Sequence, residues 1–294
     1  MKPLNRPDIF DCGVISLLVL FPILIFGCKK QDCGCVLPPV PKQSPPSLRA
    51  KSVSVSQHIN GYYEYLPVGY STDTGNVKYP VIFFFHGSGE MGNGSSDLGR
   101  VLVHGPLKLI NNGNFPETFL VGGKSYKFII IAPQINFYGI YPDELDQMIE
   151  YVKQNYKVDQ KKIYLTGLSM GGAEIWNYVG KSLANAQKIA AMVPVAAYLP
   201  EFYPDHRIDS TKAHHISSSN LPIWSFHNSG DPVSSLTYVI NAHTTIANSD
   251  PPSIFPPILT TFNSNSHDSW TKAYDPLNKE NGMNVYEWML QFSR

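Results

Sequence analysis

The sequence contains only four cysteines among its 294 residues, and all of them precede residue 36. They are Cys12, Cys28, Cys33 and Cys35. The rest of the chain therefore has no thiol for a disulfide bond or a zinc site, and its fold must be stabilised by a hydrophobic core. Cys33 and Cys35 resemble a metal-binding pair, but two thiols without a nearby histidine supply only half of a tetrahedral site. We therefore interpret them as tether residues and predict no metal and no organic cofactor.

An excess of charge of one sign is also absent. Lysine and arginine together number 23, as do aspartate and glutamate, so the formal net charge is zero. This balance argues against a nucleic-acid partner and favours a small or neutral molecule. Hydrophobic residues make up 43% of the chain and aromatic residues 12%. This composition is sufficient for one α/β domain with additional segments, and we find no internal repeat.

The apolar segment at residues 13–27 is too short for a typical membrane-spanning helix, which needs about 20 residues. Lys2 and Arg6 precede this segment, which is the pattern of a signal peptide. Its end, residues 24–28, resembles the lipobox of bacterial lipoproteins. That resemblance implies a lipidated Cys28 as the first mature residue and a location in the bacterial cell envelope, anchored to the membrane. A cleaved secretory signal and an uncleaved anchor are the alternatives.

Proline is dense just beyond this segment, in residues 37–47, where no periodicity is visible. Such a composition predicts an extended linker that holds a domain away from a membrane. We therefore predict three regions. They are a lipoprotein signal peptide in residues 1–28, a proline-rich tether in residues 29–50 and a folded domain in residues 51–294.

From residue 51 onward, strand-like and helix-like segments alternate, which predicts an α/β fold with a mostly parallel sheet and helices on both faces. The first two strands, at 53–58 and 62–66, are expected to be antiparallel. The apolar run 80–85 predicts a strand that is covered on both faces. The other predicted strands are 127–132, the segment that ends at Ser169, 190–195, 222–226 and 257–262. The predicted helices are 98–111, 142–155, 174–183, 235–247 and 284–292.

A glycine-flanked serine follows the central predicted strand, in the run Gly167-Leu168-Ser169-Met170-Gly171. The G-x-S-x-G spacing is typical of a nucleophile elbow, a strained turn from a strand into a helix. Gly167 and Gly171 are then required because neighbouring backbone passes too close for a side chain. The start of the following helix supplies free N–H groups where an oxyanion would form. The spacing therefore predicts that Ser169 is a nucleophile.

A serine nucleophile needs a base and a carboxylate that orients the base. In hydrolases with a nucleophile elbow, the carboxylate follows the serine along the chain and the histidine base comes last. Asp231 lies in a turn after the predicted strand 222–226, and His267 lies in a polar loop after the last predicted strand. We predict these two as acid and base. Other candidates are less well placed: Asp268, which is adjacent to the base, and Glu201, Asp205 and Asp209. We expect His227 to pack at a strand end, and His214 and His215 to lie in a solvated loop rather than to bind a metal.

A glycine-rich turn, His86-Gly87-Ser88-Gly89-Glu90-Met91-Gly92, follows the fully covered strand. A hydrolase places the second half of its oxyanion hole there, and we predict the backbone N–H groups of Ser88 and Met170 as its donors. A phosphate-binding loop is excluded because no Gly-Lys-Ser/Thr ending is present. Glu90 and Trp270 are candidates for shaping the substrate pocket.

Several segments in residues 60–294 resemble single-domain α/β-hydrolases known as predicted peptidases or prolyl-oligopeptidase-like esterases, which are related to feruloyl, acetyl-xylan and polyhydroxybutyrate esterases. They are Tyr79-Pro80, residues 86–90, residues 105–110, Ala132-Pro133-Gln134, residues 163–172 and residues 267–271. The resemblance implies the α/β-hydrolase fold, hydrolysis of carboxylic esters, and Ser169, Asp231 and His267 as the triad. The sequence departs from the family at Asn228, where glycine is usual, and at Ile135-Asn136.

We therefore expect a serine carboxylesterase that forms an acyl-serine intermediate and acts on a small-molecule or polysaccharide ester. Two alternatives remain at this stage. One is a serine peptidase related to prolyl oligopeptidase, which the absence of room for a gating domain disfavours. The other is a binding lipoprotein without catalytic activity.

Overall fold

The computed structural model describes residues 43–199 and 207–294. All of these residues belong to one compact unit, Lys42–Arg294. The predicted signal peptide, its Cys28 and residues 29–42 of the predicted tether lie outside the described residues. Across the two described ranges, no helix is both long enough and apolar enough to cross a membrane.

A mixed sheet of eight strands runs through the described residues. Its strands in chain order are β1 (Ser47–Lys51), β2 (Ile59–Leu66), β3 (Tyr79–Phe85), β6 (Ile129–Ile135), β7 (Val158–Leu168), β8 (Ala191–Val195), β9 (Trp224–Asn228) and β10 (Ile258–Phe262). A separate hairpin is formed by β4 (Phe119–Val121) and β5 (Lys124–Tyr126). Across the large sheet the order is β1-β2-β6-β3-β7-β8-β9-β10. The pairs β1/β2 and β2/β6 are antiparallel and the others are parallel, which confirms the predicted fold class.

Helices connect the parallel strands, because a crossover between parallel neighbours needs a long connection. Those between β3 and β10 are α1 (Gly105–Asn111), α2 (Pro142–Asn155), α3 (Met170–Lys181), α4 (Leu183–Lys188), α5 (Ser210–Ser218) and α6 (Leu236–Ala247). Two further helices, α7 (Trp270–Ala273) and α8 (Val285–Met289), follow β10. Helix α2 has the bounds that the sequence predicts. Pro142 starts it, acidic residues follow in its first turn, and its apolar side chains face the sheet.

The sheet is buried on both faces, and β3 shows why. All seven of its residues are buried. Because side chains alternate along a strand, Val81, Phe83 and Phe85 join one hydrophobic cluster whereas Ile82 and Phe84 join another. A strand that is apolar on both sides is stable only between two layers, so this run specifies the centre of the sheet.

The first predicted strand is wrong, because residues 52–58 are irregular and the edge strand is instead Ser47–Lys51. Ordered structure therefore begins inside the segment that we assigned to the tether. This strand pairs with β2 along its whole length through backbone hydrogen bonds. None of its residues is fully buried, so it carries little of the apolar signal on which a sequence prediction depends.

The predicted helix 98–111 is also interrupted. A 3-10 turn at Leu98–Leu102 precedes α1, and Gly105, the first residue of α1, has φ of 63°. A side chain at Gly105 would meet the Phe84 ring, since a Cβ would lie 2.4 Å from its Cε2 atom. The chain therefore turns sharply at this glycine, and Pro106 follows it in the first turn of α1.

The carboxyl ends of β3, β7, β9 and β10 lie at the same edge of the sheet, because these strands are parallel. The segments that follow them contain most of the predicted site residues. In an open α/β sheet this edge is where ligands bind.

Candidate active site

Ser169 is the single residue between the end of β7 and the start of α3. Its φ of 50° and ψ of −115° are unusual for a residue with a side chain. Such strained backbone persists only where its surroundings enforce it, and it is common at functional sites. The flanking glycines enforce it here. A Cβ at Gly167 would lie 2.5 Å from the Gly171 carbonyl carbon, and a Cβ at Gly171 would lie 2.2 Å from the Phe85 oxygen.

The structure brings Ser169, His267 and Asp231 together in one chain of hydrogen bonds. The Ser169 hydroxyl lies 2.9 Å from His267 Nε2, and His267 Nδ1 donates to Asp231 Oδ2 at 2.7 Å. The ionised carboxylate can only accept, so it fixes the proton on Nδ1 and leaves Nε2 free to accept from the serine. This is the arrangement that a serine nucleophile and its base require.

Asp231 is held in a tight turn after β9. Its Oδ1 atom accepts from the backbone N–H groups of Val233 at 2.9 Å and Ser234 at 3.0 Å. Its side chain is 0% exposed. The carboxylate is therefore fixed by backbone donors on one oxygen and by His267 on the other.

The competing acids have other contacts. Asp268 accepts from the N–H and the hydroxyl of Thr271, and Asp209 caps the start of α5 by accepting from the Lys212 N–H. Glu201 and Asp205 lie outside the described residues. Among the described carboxylates, Asp231 is the one that contacts His267.

A second histidine, His227 in β9, lies beside Asp231. Its Nε2 atom donates to the Ser234 carbonyl at 2.8 Å and is 3.5 Å from Asp231 Oδ2. Burial lowers the pKa of His227, so the ring is neutral near pH 7. The sequence indicated that this residue packs at a strand end, and it does, but its proximity to Asp231 was not anticipated.

Asn228, where the resembling family has glycine, links the two loops. Its side-chain amide donates to the Ser266 carbonyl at 2.8 Å, and Ser266 immediately precedes His267. The Gly230 N–H donates to the Ser264 carbonyl at 3.0 Å. We refer to residues 263–271 as the histidine loop. Asn228 at the end of β9 and Gly230 just beyond it thus hold this loop through hydrogen bonds.

The predicted oxyanion donors, Ser88 and Met170, are each the first residue of a helix, so their N–H groups have no acceptor within that helix. Their backbones approach each other closely. A Cβ at Gly87 would lie 3.7 Å from the Ser169 Cβ, and the Gly171 N–H donates to the His86 carbonyl at 3.0 Å. The residues that precede the two predicted donors, Gly87 and Ser169, therefore lie side by side.

Buried polar side chains hold the segment around Ser88, residues 86–94, which we name the oxyanion turn. His86 donates from Nδ1 to the Gly87 carbonyl at 2.7 Å, and its Nε2 accepts from the Ile135 N–H at 2.9 Å. Gln134 donates to the Glu90 carbonyl and accepts from the Gly94 N–H, each at 2.9 Å. Burial lowers the pKa of His86 to about 4, so it is neutral in this role.

The two residues predicted to shape the pocket occupy different surroundings. Trp270 packs edge-on against the His267 ring at 5.2 Å and lines a cavity of about 130 Å³ between α1 and α7. Glu90 is only 8% exposed, and its Oε2 atom accepts from the Gly87 N–H at 2.9 Å. Burial raises the pKa of Glu90. Trp270 therefore adjoins the base, whereas Glu90 binds the backbone of the oxyanion turn.

A larger open cleft of about 550 Å³ lies beside the turn that contains Asp231. Asp231, Val233 and residues of the α6 N-terminal turn line it together with Tyr198. The Tyr198 N–H donates to the Ser169 carbonyl at 3.0 Å, so the cleft adjoins the nucleophile segment.

No cluster of histidine, cysteine, aspartate or glutamate that could hold a metal ion occurs in residues 43–199 or 207–294. His214 and His215 lie on helix α5 rather than in the solvated loop that we predicted. Each donates from Nδ1 to a backbone carbonyl at 2.8 Å, His214 to Asp250 and His215 to Gly180. The adjacent pair therefore fastens a helix to its neighbours.

No protein-family model matches the sequence. Solved structures are similar to it in fold. S-formylglutathione hydrolase (FrmB) from Staphylococcus aureus has a TM-score of 0.59 at 15% identity, over 85% of this chain and 99% of that one. FphF, a fluorophosphonate-binding serine hydrolase of the same organism, has a TM-score of 0.58 at 14% identity, over 84% and 99%.

A thermostable esterase has a TM-score of 0.57 at 19% identity, over 85% of this chain. The match spans 63% of that esterase's own length. At these identities the similarity concerns the fold. The chain has the α/β-hydrolase fold.

Proposed function

We propose that this protein is a serine hydrolase that cleaves carboxylic esters through an acyl-serine intermediate. The observation that carries the proposal is the hydrogen-bonded chain from Ser169 through His267 to Asp231, at 2.9 and 2.7 Å. The N–H groups of Ser88 and Met170, each at the start of a helical segment, are the proposed oxyanion donors. A nucleophile, a base, an orienting acid and oxyanion donors are the parts that acyl transfer needs.

In the first half of the reaction, His267 Nε2 takes the hydroxyl proton of Ser169 as Oγ attacks the ester carbonyl carbon. The carbonyl oxygen becomes an oxyanion, and each N–H donor stabilises it by about 3 kcal/mol. The intermediate then collapses, the bond to the alcohol oxygen breaks, and that oxygen receives the proton from His267. The alcohol leaves and the acyl group remains on Ser169.

In the second half, water attacks the acyl carbon while His267 accepts one of its protons. The bond to Ser169 Oγ breaks, Oγ regains a proton from His267, and the carboxylic acid leaves. Asp231 stays ionised and stabilises the imidazolium that forms in both halves. Because its side chain is excluded from solvent, water screens this attraction only weakly.

The direct test uses a fluorophosphonate probe and ester turnover on the full-length protein. The probe should label the intact protein and fail to label Ser169→Ala, whereas Ser125→Ala, at an exposed serine of β5, should label normally. Hydrolysis of p-nitrophenyl acetate should fall to background in Ser169→Ala alone. Absence of labelling in the intact protein would contradict any serine-hydrolase activity, and turnover only of a proline-containing amide would indicate a peptidase.

We further propose that the enzyme is a lipoprotein of the bacterial cell envelope. The support is the resemblance of residues 24–28 to a lipobox and the proline-rich segment that follows. The same probe reports on this point, because the labelled protein should sediment with membranes and become soluble in Cys28→Ala. An ester of a small molecule or of an envelope-exposed polysaccharide is the substrate class within reach of such an anchor.

A further inference from the structure

Glu90 forms hydrogen bonds with both backbone groups of Gly87. Its carboxylate accepts from the Gly87 N–H at 2.9 Å, and its own N–H donates to the Gly87 carbonyl at 3.2 Å. The same carbonyl also accepts from His86 at 2.7 Å. Gly87 therefore has its N–H and its carbonyl both engaged, although it lies in a glycine-rich turn that would otherwise be free to rotate.

The peptide unit between Gly87 and Ser88 carries the Gly87 carbonyl and the Ser88 N–H. In a trans peptide these two groups point in opposite directions within one plane. Holding the Gly87 carbonyl against Glu90 and His86 therefore directs the Ser88 N–H to the other side of the plane. That N–H is one of the two donors in the proposed oxyanion hole.

We propose that Glu90 is a positioning residue that orients the Ser88 N–H toward the oxyanion, and that it does not contact the substrate. This inference rests on the proposed function and extends it, because the Ser-His-Asp chain does not involve Glu90. An oriented donor stabilises charge that develops only in the transition state, so its loss lowers kcat and leaves KM nearly unchanged.

Glu90 also has a neighbour on its second oxygen. Oε1 lies 3.7 Å from His104 Nε2, and the His104 ring packs against Trp270 at 5.3 Å. Trp270 in turn packs against His267. The His104 ring therefore lies between Glu90 and Trp270.

The test compares Glu90→Ala with Glu90→Gln on ester turnover. Misplacement of a catalytic donor by about 1 Å lowers rates by up to about 100-fold. We therefore expect kcat to fall about 10- to 100-fold in Glu90→Ala, with KM within about twofold of the intact protein. Glu90→Gln keeps an acceptor for the Gly87 N–H and should recover most of this loss.

Glu144→Ala is the matched control. Glu144 is another buried acid whose carboxylate accepts a backbone N–H, that of His58, at 3.0 Å, and it lies on α2 away from the proposed machinery. Its loss should lower the melting temperature without lowering kcat. If Glu90→Ala does not fold, Glu90→Leu fills the same volume without an acceptor and serves in its place.

A double substitution tests whether Glu90 acts by positioning the Ser88 N–H or through a general effect on the enzyme. Gly87 has φ of −81° and ψ of 175°, which suits a residue before proline, and Ser88 is the first helical residue, so Ser88→Pro removes the N–H with little backbone change. Adding Glu90→Ala to Ser88→Pro should then lower kcat by less than about twofold. Two losses that multiply would overturn the inference, as would an unchanged kcat or a loss confined to KM in Glu90→Ala.

Failure of the proposed function has a different signature. The intact protein would then neither hydrolyse esters nor react with the fluorophosphonate, and no Glu90 variant would be informative about catalysis. If the intact protein hydrolyses esters and reacts with the fluorophosphonate, but Glu90→Ala has a normal kcat, only the role of Glu90 would be overturned.

Discussion

The oxyanion turn and the histidine loop both adjoin Ser169 and are built differently. Buried side chains fix the oxyanion turn, including the Gln134 amide from a neighbouring strand and the ring of His86. The histidine loop is held by short local contacts on the surface, such as those between Ser264 and Ser266 and between Asp268 and Thr271. Its further anchors are hydrogen bonds from Asn228 and Gly230, at and just after the end of β9, and the contact between His267 and Asp231.

This difference follows from what each segment does in the proposed reaction. Donors for an oxyanion are most effective when they do not reorganise, which a buried hydrogen-bond network ensures. The base exchanges a proton with the serine, the alcohol and water in turn, so its loop needs only one strongly fixed contact, that to Asp231. We therefore expect substitutions in the histidine loop to be tolerated unless they touch that contact.

The largest effect should come from the contact between Asp231 and the histidine loop. Asp231→Asn removes the acceptor that fixes the His267 tautomer, and we expect kcat for p-nitrophenyl acetate to fall about 10⁴-fold. Asp268→Asn changes a neighbouring acid of the same loop whose carboxylate accepts from Thr271 rather than from His267, so kcat should fall by less than about threefold. Similar losses of kcat in the two variants would show that the histidine loop as a whole, rather than Asp231, fixes the state of His267.

A smaller effect, on the free energy of unfolding, should distinguish the oxyanion turn from the histidine loop. A Cβ at Gly92 would lie 2.5 Å from both the Asp97 Cβ and the Gln134 Nε2, inside the network that holds the oxyanion turn. We expect Gly92→Ala to lower the free energy of unfolding by about 2 kcal/mol, measured by urea denaturation.

Gly230→Ala is the counterpart next to the histidine loop. Its Cβ would lie 2.1 Å from Asn265 Oδ1, the end of an exposed side chain that can rotate away. We expect a loss below about 1 kcal/mol, and Asn265→Gly should remove most of it. If Gly230→Ala were the more destabilising of the two, the histidine loop would be the more rigid segment and the comparison would be reversed.

The sequence predicted those parts of the fold that carry an apolar pattern. The bounds of α2 and the double-sided burial of β3 follow from residues that are adjacent in the chain. The edge strand Ser47–Lys51 could not be predicted in the same way, because backbone pairing with β2 stabilises it and its side chains are largely exposed. Gly105 likewise breaks a helical pattern because of Phe84, a residue distant in the chain.

The same distinction between local sequence patterns and contacts of distant residues applies to the site. Ser169, Asp231 and His267 were candidates because of local motifs and their order, and the structure places them within hydrogen-bonding distance. The contacts that hold the surrounding segments are long-range. His86 meets Ile135 across 49 residues and Asn228 meets Ser266 across 38. A histidine before a glycine-rich turn and an asparagine in place of a family glycine were visible in the sequence, but their partners were not.

The smallest expected effect concerns pH, and it again involves the oxyanion turn. Burial lowers the pKa of His86 to about 4, whereas an unfolded histidine titrates near 6.5. Between these values the unfolded chain binds more protons than the folded one, so stability rises with pH in this window. The contribution of His86 is complete above about pH 6.5 and is lost as the pH falls toward 4. Lowering the pH from 7 to 5.5 should therefore reduce the free energy of unfolding by about 1 kcal/mol through this residue.

His243 provides the matched control for this pH effect. Burial lowers its pKa to about 4 as well, and it contacts Ser225 in β9 rather than the oxyanion turn. His86→Gln and His243→Gln should flatten the pH dependence of urea denaturation to a similar extent, because each removes one buried neutral imidazole. Only His86→Gln should also lower kcat, since it alone alters the contact with the Gly87 carbonyl. An equal loss of kcat in both variants would mean that the oxyanion turn depends on overall stability rather than on its own buried network.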